Sequence, residues 1–329
     1  MSAVDRNNPR RGSASESTYS IMEFLREFPD DKTCLDWLWR ERYAPDGEHA
    51  HCQKCQQTRK FHRVKSRPSY SCDHCGLHVH PTAGTIFHKS ATSLHLWFYA
   101  MYLMTSTRCA VSAKHLEREL GVTYKTAWRM ANRIRNVLMT QEVEPPLSGD
   151  VEADETWIGG KPRAAETRAT KKVTRLHAPR PTRPYTKKPK AVVFGAVERG
   201  GRIRATVAAD SRAHTLGSLV RQYVLPSAVL FSDECKGYDH VGVEYKAHRR
   251  IRHAENIYVS GTVHTNTVEG FFGTLKNGIR DNYHSVSTKW LQGYLNEFVW
   301  RYNQRRSGDG RAMFEALALK TVDTALPWS

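Results

Sequence analysis

The sequence predicts a multidomain protein in which a small cysteine module and a helical region precede an α/β domain with a mixed sheet. Three observations carry that expectation. The chain of 329 residues exceeds what one hydrophobic core usually organises. Four of its seven cysteines stand as two close pairs between Cys52 and Cys75. The hydrophobic period changes at Pro145 and Pro146, with helical spacing before them and short β-branched runs after them.

Residues 1–20 are polar and Ser-rich, and they read as a disordered N-terminus. No apolar stretch follows their charges, as a secretory signal would require. The longest apolar run, around residues 94–104, contains His95 and falls short of the ~20 residues a membrane span needs. A cytoplasmic protein without a membrane partner is expected.

Residues 21–88 form the first expected folded region. Phe24, Leu25, Phe28, Cys34, Leu35, Leu38 and Trp39 are spaced as two short amphipathic helices broken at Pro29, and the cysteine module follows from Gly47 to Thr85. Residues 89–145 read as helical, and 146–305 as the α/β domain. Its strands are expected at 151–158, 191–197, 203–208 and 229–232, with helical periodicity returning from Thr267. There Trp290, Leu291, Tyr294, Leu295, Phe298, Val299 and Tyr302 make one wide apolar stripe. Residues 306–329 complete the chain as a C-terminal helix or tail.

Cys52 and Cys55 are separated by sixteen residues from Cys72 and Cys75, which is the spacing of a zinc ribbon whose two knuckles each supply two thiolates. One structural Zn²⁺ per chain is expected. A redox pair or unligated core thiols would not explain two pairs at this separation. Gly76 offers the permissive backbone that a knuckle needs, whereas Gln56 in the first knuckle does not. His74, His78 and His80 lie nearby, but four thiolates already close a tetrahedron. Cys34, Cys109 and Cys235 read as buried thiols.

The charge balance points to a polyanion as partner. Fifty Lys and Arg against 33 Asp and Glu leave +17, and the basic insertion 161–190 supplies +10 of it, from eleven Lys/Arg and Glu166. With five prolines and no apolar pattern, that insertion reads as a flexible loop. Residues 112–120, a Gly121-Val122-Thr123 turn and residues 124–138 have the layout of a helix-turn-helix. Ala127, Ala131, Ile134 and Leu138 form its buried stripe. Tyr124, Lys125, Thr126, Arg129 and Arg133 are left facing outward, residue types that reach phosphates and guanine edges of double-stranded DNA. An ordinary helical hairpin with a solvated basic face is the duller alternative.

Strand alternation puts Glu152 and Asp154 on one face, Asp233 ends a second strand, and Glu269 stands near the start of a helix with thirty-five residues between it and Asp233. Carboxylates at two strand positions and a helix start can converge on two Mg²⁺ or Mn²⁺ ions for an in-line phosphoryl displacement. Singly, each acid has another use: a strand-edge charge, a turn acid, or a capping box from Asn266 to Glu269. Lys276 argues for the site, because Glu269, Gly273, Lys276 and Arg280 share one helix stripe beside an apolar one. Gly270, Gly273 and Gly278 each disfavour the helix by ~1 kcal/mol relative to Ala, which suggests room kept for a DNA backbone.

Several stretches also carry a resemblance: Glu23-Phe-Leu-Arg-Glu-Phe-Pro-Asp30, the two cysteine pairs, Ala83-Gly-Thr-Ile-Phe87, Val151-Glu-Ala-Asp-Glu-Thr-Trp-Ile-Gly-Gly160, His264-Thr-Asn-Thr-Val-Glu-Gly-Phe-Phe272 and Tyr294-Leu-Asn-Glu-Phe-Val-Trp-Arg-Tyr-Asn303. From about Glu23 to Gln304 the chain resembles the zinc-ribbon branch of DDE-type insertion-sequence transposases. The resemblance implies an RNase H-like (retroviral-integrase-like) catalytic fold, with Asp154, Asp233 and Glu269 as metal-binding triad and Lys276 beside the donor DNA. Asn266 is the rival for the third position. Ala153 stands where similar proteins often carry a bulkier aliphatic residue. The implied activity is cleavage at terminal inverted repeats and joining of the 3′-hydroxyl end to target DNA, by a homodimer or higher oligomer. A transposase-derived regulator without catalysis and a purely hydrolytic nuclease are the alternatives.

Overall fold

The computed structural model describes residues 19–107, 110–141, 145–159, 190–233, 236–250, 264–306 and 310–323. The basic insertion before Lys190, Cys109 and Cys235 lie outside them. The chain divides into two compact units, residues 1–139 with 304–329, and residues 140–303.

In the first unit, Pro29 separates helices α1 (Ile21–Glu27) and α2 (Asp31–Arg42). Ser20 and Glu23 close a reciprocal capping box on α1, and the Asp30 side chain caps α2 through the Thr33 amide. The expected disorder of 1–20 therefore stops short of its end, because Tyr19 is a buried core residue. Its ring packs with Phe24, Tyr102 and Phe314 at centroid distances of 5.6–6.5 Å, and burying an aromatic side chain is enough to order the chain before the cap.

Strands β1 (His49–Cys52), β2 (Gln57–Val64), β3 (Ser69–Cys72) and β4 (His78–Val79) make an antiparallel sheet in chain order. Trp39 of α2 stacks on Tyr70 of β3 at 4.1 Å, which joins this small sheet to a helical core it could not supply itself.

Helices α3 (Leu94–Ser106), α4 (Ala113–Leu120) and α5 (Tyr124–Arg133) follow, and α5 runs on as a π-helical turn, Ile134–Leu138. The C-terminal helix (Gly310–Asp323) returns to this unit, with Phe314 against Phe24, Phe28 and Phe98. Nothing in its own pattern announces that destination.

The second unit is an α/β fold on a mixed sheet. Its strands are β5 (Asp150–Ile158), β6 (Ala191–Glu198), β7 (Ile203–Ala208), β8 (Val229–Ser232) and β9 (Ala247–Arg250), in the order β7-β6-β5-β8-β9. The β5-β6 and β6-β7 pairs are antiparallel, whereas β5-β8 and β8-β9 are parallel. Helices α6 (Ala213–Tyr223), α7 (Asp239–Gly242), α8 (Asn266–Gly278) and α9 (Thr288–Gln304) complete it. Helix α6 and the charged strand β9 lie outside the sequence expectation.

Odd-numbered β5 residues Val151 and Ala153 join Phe194, Leu216, Val220 and Tyr238 in the core on one sheet face. The even-numbered ones point to the other. Edge strand β7 is covered by amide side chains: Ile203 pairs with Asn303, the Val207 amide donates to Gln292, and Ala205 pairs with Gln141. Alternate backbone groups that could recruit another strand are thereby occupied. In α9 the stripe buries Leu291, Leu295, Phe298 and Val299, while Tyr294 and Tyr302 are half-buried and Trp290 is exposed.

Candidate functional site

The two cysteine pairs come together. Their four sulfurs form a group within 4.8 Å of one another, with Cys52 Sγ 3.5 Å from Cys75 Sγ and Cys55 Sγ 4.0 Å from Cys72 Sγ. With Zn–S bonds of ~2.3 Å, a tetrahedron sets its sulfurs about 3.8 Å apart, so the cluster fits zinc. Both knuckles turn back on themselves, Gln56 N donating to Cys52 O at 2.8 Å and Gly76 N to Cys72 O at 3.1 Å. Gln56 adopts φ +54° as Gly76 adopts +67°, so the first knuckle makes the left-handed turn without a glycine. Its side-chain amide donates to Gln53 O, a local bond that helps offset a strain of ~1 kcal/mol. Burial opposes ionisation of Cys52, yet the Cys55 amide and Cys75 thiol hold it down at about 7; Cys55 is pushed up to about 12 by its thiol neighbours and by burial.

The carboxylates assemble differently. In the parallel pair β5-β8, Glu152 is opposite Phe231, and continuing that register by two residues puts Asp233 opposite Asp154 on the same face. Antiparallel to them, Gly195 of β6 faces Asp154. A Cβ at Gly195 would stand 3.0 Å from Phe272 and 3.3 Å from Val268, so the missing side chain is what lets α8 lie close on this face. Glu269 rides in on the first turn of α8. Burial, then the charge of Asp233, then smaller contributions including that of Glu269 push the Asp154 carboxyl up to about 7. Among the described residues, only the cysteines gather three or more ligand atoms within 4.8 Å.

Glu152 holds this arrangement. It is fully buried, and its Oε2 accepts the Thr267 and Val268 amides at 2.8 and 3.2 Å, while Oε1 accepts the Thr267 hydroxyl at 3.0 Å. Arg199 Nε donates to Oε1 at 2.8 Å, reaches His264 O at 2.7 Å through Nη2, and lies 3.9 Å over the Phe231 ring. A carboxylate at a helix N-terminus satisfies orphan amides and the helix dipole together. The N-cap of α8 is Thr265 and its side chain makes no capping bond. The local capping box from Asn266 is thus replaced by a cap supplied from the strand. Glu269 accepts the Thr265 hydroxyl at 2.8 Å, and Asn266 is exposed. Sequence reasoning put Glu152 on the right face without its purpose and missed Arg199, whose partner is forty-seven residues away.

Residues 146–303 match the model of the ISXO2-like transposase domain. This domain belongs to the insertion-sequence transposases. Over 309 residues the chain is 27% identical to a Halobacterium salinarum protein described as an uncharacterized protein in transposable element ISH50, covering 92% of this chain and 99% of that one. A shorter match, 22% identical over 102 residues, is to an uncharacterized transposase-like protein of Haemophilus influenzae, 31% of this chain and 81% of the relative.

In the transposase domain, Lys276 is exposed on α8, and Arg280 pairs with Asp281 and Asn277. Gly270 and Gly273 face open space, but Gly278 does not: a Cβ there would stand 2.4 Å from the Phe298 ring, so this glycine serves helix packing. In the N-terminal unit, Gly121 is left-handed and Thr123 caps α5 through the Thr126 amide. Tyr124, Lys125 and Arg129 are exposed and Thr126 half-buried. Arg133 does not face freely outward; it is half-buried and donates to Ile86 O at 2.8 Å, since a lone carbonyl inside a loop needs a donor. Among the described residues, no helix is long and apolar enough to cross a membrane.

Proposed function

We propose that this protein is a DDE-type transposase that cleaves at terminal inverted repeats and joins the 3′-hydroxyl end to target DNA, on an RNase H-like catalytic domain. The observation that supports the reading is the parallel β5-β8 pair, which carries Asp154 on one strand and leads to Asp233 just past the end of the other, where its charge acts on Asp154, with Glu269 on the first turn of α8. The Asp154 carboxyl, raised first by burial and then by the charge of Asp233, supports the reading, since perturbed carboxylates cluster at functional sites. The donor set is all carboxylate, which fits Mg²⁺ or Mn²⁺. Two such ions supply activation of the attacking oxygen and neutralise charge on the leaving one.

The chain's own residues do the rest. Asp154, Asp233 and Glu269 would hold the ions. Glu269 is preferred to Asn266 because its charge reaches Asp154. Glu152 and Arg199 keep the α8 terminus on the sheet. Lys276, exposed on the same α8 stripe as Glu269, is read as the contact to the donor backbone, with Arg280 beyond it. The α4-α5 pair is read as the helix-turn-helix that selects the repeat through Tyr124, Lys125, Thr126 and Arg129, with Arg133 supporting it from behind. The partner is double-stranded DNA, and the working form a homodimer or higher oligomer.

Strand transfer of a pre-cut repeat end with Mn²⁺ tests the reading. Asp233→Asn should fold as the parent does and reduce both cleavage and joining to background, while losing the thermal stabilisation that Mn²⁺ gives the parent. Joining at near-parental rate would overturn the catalytic assignment in favour of a regulator.

A further inference from the structure

A cleft of about 640 Å³ lies within the N-terminal unit, between the β2-β3 turn and the segment entering α3, with no residue from α4 or α5 among those lining it. Its lining includes Arg63, Lys65, Arg67 and Lys89, with His80 and His88, against a single acid, Asp31. That acid is already engaged: its Oδ1 accepts the Ser93 hydroxyl and the His95 amide at 2.5 and 2.7 Å, at the start of α3. Lys65, Arg67 and Lys89 are exposed and pair with no carboxylate among the described residues. Three exposed cations line one concavity in which Asp31 is the one acid.

Both walls are tied by hydrogen bonds. Arg63 donates to the Val64, Arg67 and Ser69 carbonyls, tying down the turn that carries Lys65 and Arg67. Opposite, Ser90 Oγ accepts Trp97 Nε1 at 3.0 Å and the Thr92 amide at 3.2 Å. Lys89 sits at φ +51°, a left-handed conformation that a non-glycine side chain holds only where its surroundings impose it. A concavity in which the cations outnumber the acid by this much suits a polyanion that brings closely spaced single charges.

We infer that this cleft binds the phosphodiester backbone of DNA, as a second contact independent of α5, with Lys65, Arg67 and Lys89 on successive phosphates. The inference rests on the reading of the chain as a DNA-processing enzyme. It assigns the ribbon side of the protein to holding DNA of any sequence, and leaves choice of the repeat to α5.

The test uses the full chain with zinc bound, on a repeat-end duplex and a random duplex of equal length. In the variant Lys65→Gln, Arg67→Gln, Lys89→Gly, the glycine suits the local backbone. Its slope of log affinity against log salt should be shallower by roughly 2 to 3, at ~0.9 for each phosphate no longer neutralised, and equally so on both duplexes. Zinc content should match the parent. A control variant removing three exposed cations elsewhere, Arg26→Gln, Arg212→Gln and Lys289→Gln, should change the slope by less than about 1. An unchanged slope in the cleft variant, or an equal fall in the control, overturns the cleft as a site. A parent that neither binds duplex nor joins ends would instead sink the functional reading, so the two failures are distinguishable.

Discussion

The cysteine cluster and the carboxylate face are both candidate metal centres, but they are built on opposite principles. The four thiols come from two tight turns, each closed within three or four residues, and their sulfurs lie within 4.8 Å of one another. Protonated thiols carry no charge, so gathering them is inexpensive. The proposed carboxylate site draws on three separate elements, with Asp154 on β5, Asp233 just past the end of β8 and Glu269 on the first turn of α8, and like charges resist approach. The first site is made by local turn chemistry and the second by tertiary packing against repulsion. Each therefore fails in its own way.

The largest expected effect is at the cysteines. Stripping zinc, or Cys52→Ser, should unfold the ribbon, because a sheet this small owes its stability to metal worth on the order of 10 kcal/mol. Elemental analysis and circular dichroism on one sample check this, and a folded, zinc-free ribbon would erase the contrast. Next comes the tertiary cap. Glu152→Ala should lower stability by about 3 to 5 kcal/mol, since Arg199 and two helix amides lose a fully buried partner. Glu152→Gln, which keeps an acceptor for the amides, should lose less. Urea denaturation of the two variants compares them, and equal losses would place the effect in packing and not in the cap.

Comparable in size is a dependence on pH. With the folded-state pKa of Asp154 raised to about 7 by burial and by Asp233, the unfolded chain releases that proton first as pH rises. Metal-free stability should therefore fall between about pH 4 and 7, by as much as ~4 kcal/mol. Asp154→Asn should flatten that slope, and Mn²⁺ should remove it in the parent. Denaturation across this window, with and without metal, decides. An identical slope in Asp154→Asn would move the strain elsewhere.

The smallest effects separate the glycines of α8. Gly278→Ala drives a methyl into Phe298 and should destabilise by ~1 to 3 kcal/mol. Gly270→Ala and Gly273→Ala enter open space and should each stabilise the helix by up to ~1 kcal/mol. If they weaken donor-end binding at the same time, the open glycines are there for the DNA. If binding is untouched, that purpose is lost.

What was legible in the residues follows from range. Two CxxC pairs announce a ribbon because ligand spacing within a turn is a local property, and the strands from 151 to 232 show themselves by β-branched runs of the right length. The acids were singled out by type and resemblance, and alternation placed Glu152 and Asp154 on one face. Beyond that the sequence was silent for a physical reason: a contact between residues tens of positions apart leaves no period in either partner. Only the folded chain shows that Glu152 caps α8 with Arg199 behind it, that Gly195 lets Phe272 approach, that Arg133 is spent on Ile86 O, and that Phe314 belongs to the N-terminal core. The sequence by itself determined which chemistry is present, thiolate in one region and carboxylate in the other. Tertiary structure decided which of those groups meet, because register and helix docking are set by the burial of whole faces and not by the acids, whose charges oppose the meeting.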